Sequence, residues 1–223
     1  MESYLLKIRS IEKATHDVLR ITLDKPAHFH FNPGQATEVS INKPGWEDEK
    51  HPFTFTSTPA DGHLEFTIKT YPPHKGITNE LLSLKAGDEL IVREPWGTIG
   101  YKGEGLFIAG GAGVTPFISI FRHLWSQNKI GSSKLIFANK TKADIINESE
   151  FKKMLGKNFI NILSEEKSGE YASGFITKDF LKEILPGVKG HFYLCGPPAM
   201  MEAVEKQLIS LGITDEQIVK ERF

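Results

Sequence analysis

Residues 106–121 read LFIAGGAGVTPFISIF: an apolar strand runs into Gly110-Gly111-Ala112-Gly113, and a helix opens at Thr115-Pro116. Glycines let a backbone turn sharply and approach a ligand closely. Thr115 is placed to cap the helix, and Pro116 at its first position forfeits only an amide that has no helical acceptor. The amides left over, with the positive end of the helix dipole, favour an anion such as a phosphate. Pro116 stands where a GxGxxG fingerprint has its third glycine, so this loop alone reads equally as a phosphate cradle or a chain reversal.

Further along, a second junction of the same kind joins the strand 191–195 to Gly196-Pro197-Pro198 and a helix over 197–211. Strands at 106–109, 134–139, 159–163, 191–195 and 218–222 alternate with helices at 116–127, 148–155, 177–185 and 197–211. That alternation predicts an open parallel sheet with helices on both faces and a ligand crevice at the carboxyl ends of its strands. A dinucleotide site of the usual kind also wants an acid about 20 residues past the glycine loop to bond a ribose. Here the second strand ends in Asn139-Lys140-Thr141-Lys142, and the first acid is Asp144. Lys140 and Lys142 are either ligands for a 2′-phosphate, which would favour NADPH, or solvated loop lysines.

Towards the N-terminus the apolar period falls to two. Strands are expected at 4–11, 18–23, 36–41, 52–57, 64–70 and 89–93, punctuated by Asn32-Pro33-Gly34, Lys43-Pro44-Gly45 and Ala86-Gly87-Asp88. Six such strands suit a small antiparallel barrel, which hides most sheet edges. One helix, 78–85, interrupts them, with Leu81, Leu82 and Leu84 near one face. The fold class is therefore a two-domain chain: an N-terminal antiparallel six-stranded β-barrel over 1–101 and a C-terminal α/β open parallel sheet over 102–223. Tyr101-Lys102-Gly103-Glu104-Gly105 is the expected hinge.

Composition excludes several function classes. The 223 residues are 39% hydrophobic and 25% charged, which speaks against wholesale disorder. Basic and acidic residues number 11 and 14 through Tyr101 and 16 and 14 after it, so neither half invites nucleic acid. Cys195 is the only cysteine, which rules out an internal disulfide, a CxxC zinc site and an iron–sulfur cluster on this chain's own thiolates. His28 and His30 share a face of an extended segment but have no evident third ligand, and no HExxH or GxSxG occurs; no metal is expected. No signal segment or long apolar run stands out, so a soluble, cytoplasmic protein is expected.

In the barrel half, His51-Pro52-Phe53-Thr54-Phe55-Thr56-Ser57-Thr58-Pro59 resembles the flavin-binding strand of the ferredoxin-NADP+ reductase superfamily, usually Arg-x-Tyr-Ser; the HPFT spelling is closest to its NADPH oxidase and ferric reductase branch. The resemblance runs along essentially the whole chain. Lys75-Gly76-Ile77-Thr78 is similar to the second flavin-phosphate element, Gly111-Ala112-Gly113-Val114-Thr115-Pro116 to the nicotinamide-nucleotide loop, and Cys195-Gly196-Pro197-Pro198 to the CGPP element. Ala138-Asn139-Lys140-Thr141 is similar to a loop of the cytochrome b5 reductases, many of which use NADH, which offsets the lysine argument.

The resemblance implies FAD in the barrel and NADPH or NADH on the sheet. Phe53 would lie against the isoalloxazine, Thr54 bond near flavin N5, His51 approach the phosphates, and Pro52 belong to the same cofactor-binding strand. Ile68, Lys69 and Tyr71 would complete the groove, and Gly76, Ile77 and Thr78 hold the pyrophosphate. Gly111, Gly113, Val114, Thr115, Asn139, Lys140, Gly196 and Pro197 would hold the nucleotide, with Cys195 lining the nicotinamide pocket. The ending Val219-Lys220-Glu221-Arg222-Phe223 is similar to the family's, in which Phe223 would cover the flavin and Glu221 help to position or protonate. The implied activity takes hydride from NAD(P)H and passes electrons to a ferredoxin, flavodoxin, cytochrome, oxygenase component or small acceptor. A non-catalytic dinucleotide-sensing or docking module on the same fold is the alternative. His51 departs from the usual arginine: it offers at most two donors and can lose its charge near neutrality, so flavin binding is expected to weaken as pH rises.

Overall fold

The computed structural model describes residues 2–71, 74–97 and 99–220. The chain divides into two compact units, Met1–Gly100 with Thr115–His123, and Tyr101–Val114 with Leu124–Phe223.

The first unit is built on β1 (Ser3–Lys13), β2 (Val18–Asp24), β3 (Ala36–Ile41), β4 (His51–Thr54), β5 (His63–Lys69) and β6 (Glu89–Arg93), with a short α1 (Ile77–Glu80) between β5 and β6. All pairings are antiparallel, in the order β4-β3-β6-β1-β2-β5. β1 serves two neighbours: residues 3–7 pair with β6 and 8–13 with β2, across an irregularity between Ile8 and Ser10. Such a bulge bends a strand, which lets the sheet curl. The curl nearly closes, since Phe55, just past β4, bridges Phe66 of β5.

Inside sit Leu6, Ile8, Ile21, Leu23, Val39, Ile41, Phe66, Leu90 and Val92, all buried. The Phe31 and Phe55 rings stack at 4.4 Å. β4 ends at Thr54, earlier than the periodicity predicts, because Thr56 and Ser57 are buried and bond out of the ladder. The helix expected at 78–85 is one α turn followed by a 3-10 turn; Leu81 and Leu84 are buried, but Leu82 is exposed.

α2 (Thr115–Ser126) contributes Thr115–His123 to this unit, not to the sheet unit where its sequence position placed it. Its Phe117, Ile118, Ile120 and Phe121 are all buried. β5 explains the allegiance: Glu65 and Thr67, on the strand's outer face, are buried as well, and Arg122 of α2 bonds Glu65.

The second unit holds β7 (Gly105–Gly110), β8 (Lys134–Asn139), α3 (Glu148–Leu155), β9 (Phe159–Leu163), β10 (Ala172–Ser173), α4 (Lys178–Ile184), β11 (His191–Cys195), α5 (Pro198–Ser210) and β12 (Ile218–Lys220). The sheet is parallel, in the order β10-β9-β8-β7-β11-β12. One face packs Leu106, Ile108, Ile136, Ile162, Phe192 and Leu194 against Leu181 and Ile184 of α4 and Val204 and Leu208 of α5. On the other face Phe137 meets Phe151 of α3 at 6.4 Å. The expected hinge is pinned for most of its length: Tyr193 Oη accepts from the Lys102 amide at 2.9 Å and donates to the Gly103 carbonyl at 2.7 Å. Gly105 already lies in β7, where an added Cβ would stand 1.8 Å from the His191 carbonyl oxygen.

Candidate functional site

β4 is paired on one side only. Ala36 to Val39 of β3 face Thr54 to His51 in register. The Phe55 amide donates to Gln35 O at 3.1 Å on that same side, and the Thr56 amide to Glu65 O of β5 at 2.8 Å on the other. Successive amides of an extended chain alternate in direction, so the Thr54 amide projects toward β5. There, among the described residues, backbone pairing between the two strands is limited to the single Phe55–Phe66 bridge. The result is a wedge with its apex at Phe55 and one edge of β4 open. Continuing the bridge's register sets Phe53 opposite Ile68 and Pro52 opposite Lys69. An open strand edge presents polar groups that need a partner.

Of the residues expected to hold a flavin, His51 to Thr54 lie on this edge of β4, and Ile68 and Lys69 lie on β5 in the register that faces it. Phe53 is half-buried, with its ring 6.5 Å from Phe66. Thr54 is half-buried, whereas His51 and Pro52 are exposed. Ile68 is buried, and Lys69 Nζ pairs with Asp17 at 2.8 Å. Tyr71 lies beyond the end of β5 and is exposed, edge-on to His74. Gly76 precedes α1 in an extended conformation with open space where a Cβ would stand, Ile77 is buried and Thr78 half-buried. The first amides of such a turn have no acceptor within it.

In the sheet unit the two glycine junctions meet. β7 and β11 are neighbours, Ala109 beside Cys195, and the strand order reverses between them. Gly110 ends β7, and Gly111–Val114 form one 3-10 turn. Gly111 has φ +52°. A Cβ on Gly113 would lie 2.4 Å from the Cys195 carbonyl oxygen; one on Gly110 would lie 2.9 Å from Pro197 Cδ, and one on Gly196 3.0 Å from the Gly110 nitrogen. Each glycine is thus required by close approach, and the two loops pack against one another at the switch point of the sheet, where open α/β folds bind ligands. Thr115 is not the cap it was expected to be. Val114 holds the N-cap position without a side-chain bond, and Thr115 is the first helical residue, buried, with Pro116 second. Pro197 holds the N-cap position of α5.

Asn139, at the carboxyl end of β8, is buried, and among the described residues neither its amide nitrogen nor its amide oxygen has a hydrogen-bond partner. Asn161 Oδ1 is in the same condition. Asn161 pairs with Phe137, two residues before Asn139, so both amides share a face. Leaving such groups unmet is costly, which makes the end of β8 a candidate contact for a further polar group. The lysines that follow are engaged: Lys140 Nζ with Glu165 at 2.9 Å and Lys142 Nζ with Glu170 at 3.1 Å, while the Lys142 amide bonds Glu166. Asp144 caps its own turn through the Thr141 amide and hydroxyl. Cys195 is half-exposed at the end of β11. Glu221 and Phe223 lie outside the described residues.

The open β4 edge, the glycine crevice and the orphaned Asn139 amide are what a flavin and a nicotinamide dinucleotide would require. Sequence reasoning missed Glu65, Ser119 and Arg122. The only hint was one charge inside the apolar run FISIFRHLW, whose partner lies 57 positions away.

Comparison with known proteins gives two family matches: an FAD-binding domain over residues 3–94 and an oxidoreductase NAD-binding domain over 107–206. The reductase component of propane 2-monooxygenase from Rhodococcus jostii (strain RHA1) is 31% identical over 238 residues, covering 97% of this chain; the chain spans 62% of that relative's length. NADH-cytochrome b5 reductase 2 from Ajellomyces capsulatus (strain NAm1 / WU24) is 30% identical over 255 residues, covering 96% of the chain and 77% of the relative. A ferredoxin NADP+ reductase from Neisseria gonorrhoeae, solved with bound FAD and NADP, superposes with a TM-score of 0.86 over 99% of this chain and 98% of its own; at 17% identity that likeness speaks to the fold alone. No helix among the described residues is long and apolar enough to cross a membrane.

Proposed function

The chain belongs to the ferredoxin-NADP+ reductase superfamily, and from that premise we propose that it is an FAD-dependent reductase that oxidises NADH in preference to NADPH and serves a separate electron acceptor. Bound together, the two cofactors supply hydride transfer from nicotinamide to flavin N5 and onward release of electrons. The protein's part is to bind, orient and exclude water.

In the barrel, Phe53 offers an aromatic face to a planar ring, and the Thr54 amide and hydroxyl offer donors along the open edge of β4. His51 and the amides at Gly76 to Thr78 stand ready for phosphates. In the sheet, Gly111 and Gly113 let a pyrophosphate approach the backbone, Asn139 presents an unmet amide to the ribose side, and Gly196 and Pro197 form the opposite wall. Cys195, Glu221 and Phe223 are assigned to the nicotinamide end by resemblance. The preference for NADH rests on Glu165 and Glu170, which occupy the lysine side chains that a 2′-phosphate would need, and on Glu166, which accepts from the Lys142 amide and adds negative charge beside them. The acceptor is proposed to be a protein of the kinds that the relatives' names point to, an oxygenase component or a cytochrome.

The observation that supports the reading is that β4 meets β5 only at the Phe55–Phe66 bridge beside the flavin-type motif, so that the Thr54 amide is directed at an unpaired stretch of the strand's edge. The test is colour. The purified chain should bind FAD, show flavin absorbance, and bleach on anaerobic addition of NADH. A colourless chain that binds nucleotide without turnover would make it a sensor.

A further inference from the structure

Beside the wedge lies an ionic knot around the buried Glu65 that the proposed chemistry does not use. Thr56 and Ser57, the second and third residues past Thr54, are fully buried. Their carbonyl oxygens accept from α2, Thr56 O from Arg122 Nη1 at 2.8 Å and Ser57 O from Ser119 Oγ at 2.6 Å. The same Arg122 Nη1 donates to Glu65 Oε1 at 2.7 Å, and the Thr56 hydroxyl donates to that oxygen at 2.7 Å. Glu65 is 7% exposed. Its other oxygen is 3.8 Å from Arg20 Nε, its amide donates to Ser57 Oγ at 3.0 Å, and Thr67 Oγ1 is 3.2 Å from Thr56 Oγ1.

One charged nitrogen thus bonds both sides of the wedge at its apex: the carbonyl two residues beyond Thr54, and the carboxylate of β5 one residue before Phe66. Backbone pairing there is a single bridge, so side chains set how far the strands part. A guanidinium is suited to this, being planar, always charged and able to hold several acceptors in a fixed geometry. The carboxylate is buried and the guanidinium half-buried, and the pair tolerates little displacement, because the Glu65 carboxylate left alone would be a desolvated charge.

We propose that Arg122, supported by Ser119, is a positioning residue for the flavin: by fixing the apex of the β4–β5 wedge it sets where the Thr54 amide and hydroxyl meet the ring. This rests on the flavin reading above. Arg122 touches no cofactor in this scheme and acts through Thr56 and Glu65.

The experiment compares the full chain with Arg122→Lys, with the charge-neutral pair Glu65→Gln/Arg122→Met, and with Ser119→Ala. Folding is checked by far-ultraviolet circular dichroism and urea midpoint. The readouts are the FAD dissociation constant, the visible circular dichroism of bound flavin and its midpoint potential. Arg122→Lys and the double variant, once folded, should bind FAD about tenfold more weakly or worse, and Ser119→Ala about threefold more weakly, as expected for losing bonds to charged and neutral partners. The midpoint potential and visible dichroism should move with them. Folded variants that keep the wild-type dissociation constant, dichroism and potential overturn the proposal. If the two Arg122 variants do not fold, Ser119→Ala decides alone, and unchanged flavin properties there overturn it. A wild-type chain that binds no FAD is a distinct result: it removes the flavin reading and this inference with it.

Discussion

Gly113 and the carbonyl of Cys195 are packed so closely that a methyl group on Gly113 would lie 2.4 Å from that oxygen. The contact joins the loops after β7 and β11, so the two glycine junctions form one structure. Gly113→Ala must push the loops apart, and overpacking of this kind costs about 1–3 kcal/mol. The expected outcome is a lower urea midpoint together with an NADH affinity at least about tenfold weaker. Wild-type nucleotide affinity in a folded Gly113→Ala chain would show that the crevice is not the binding site.

The glutamates after β9 are expected to set nucleotide choice. Glu165→Gln with Glu170→Gln frees Lys140 and Lys142 and removes two negative charges. The kcat/KM for NADPH relative to NADH should rise about three- to tenfold at low salt, and the gain should shrink as salt screens these exposed groups. An unchanged ratio at low salt would place the 2′-end of the nucleotide elsewhere.

His51→Arg restores the side chain that the superfamily usually carries at this position. An arginine fork holds phosphate better than an imidazole, so FAD affinity should rise about three- to tenfold, and His51→Ala should lower it. Titration of the flavin-free chain measures both; equal affinity in all three would remove His51 from the phosphate site.

Tyr193 gives a pH dependence. Its ring stacks on Phe107 at 4.1 Å, and burial pushes its phenol up to about 12, although the Lys102 amide bonded to it pulls the other way. An unfolded tyrosine ionises near ~10. The folded state therefore favours the neutral phenol, and the stability this confers is complete below ~10 and lost as pH rises through about 12. Tyr193→Phe strands the Lys102 amide and the Gly103 carbonyl, so it should be destabilised by about 1–3 kcal/mol at pH 8. Its further loss between pH 10 and 12 should be smaller than the wild type's. Urea titrations at several pH values measure this; parallel curves would contradict it.

The sheet was legible because buried parallel strands read as uninterrupted apolar runs: 134–139, 159–163 and 191–195 match β8, β9 and β11 residue for residue. β10 was not, because two residues, Ala172 and Ser173, carry no periodicity. The allegiance of α2 was also hidden. Chain order assigns it to the sheet, and its place on the barrel is revealed by the bonds of Arg122 and Ser119 to Glu65, Thr56 and Ser57. Motif spelling located the flavin strand, but the wedge depends on where β4 stops, which is decided by the buried hydroxyls of Thr56 and Ser57. Thr115 misled for a related reason: the 3-10 turn at 111–114 carries the chain into α2 already wound, leaving no extended residue to cap it.

Cys195 is the chain's single sulfhydryl, and it sits half-open beside the Gly113 loop. Alkylation can therefore mark only one spot, and the pace at which a maleimide reacts becomes a clock for the crevice. A dinucleotide lodged against that wall slows the reagent; an idle groove lets it through.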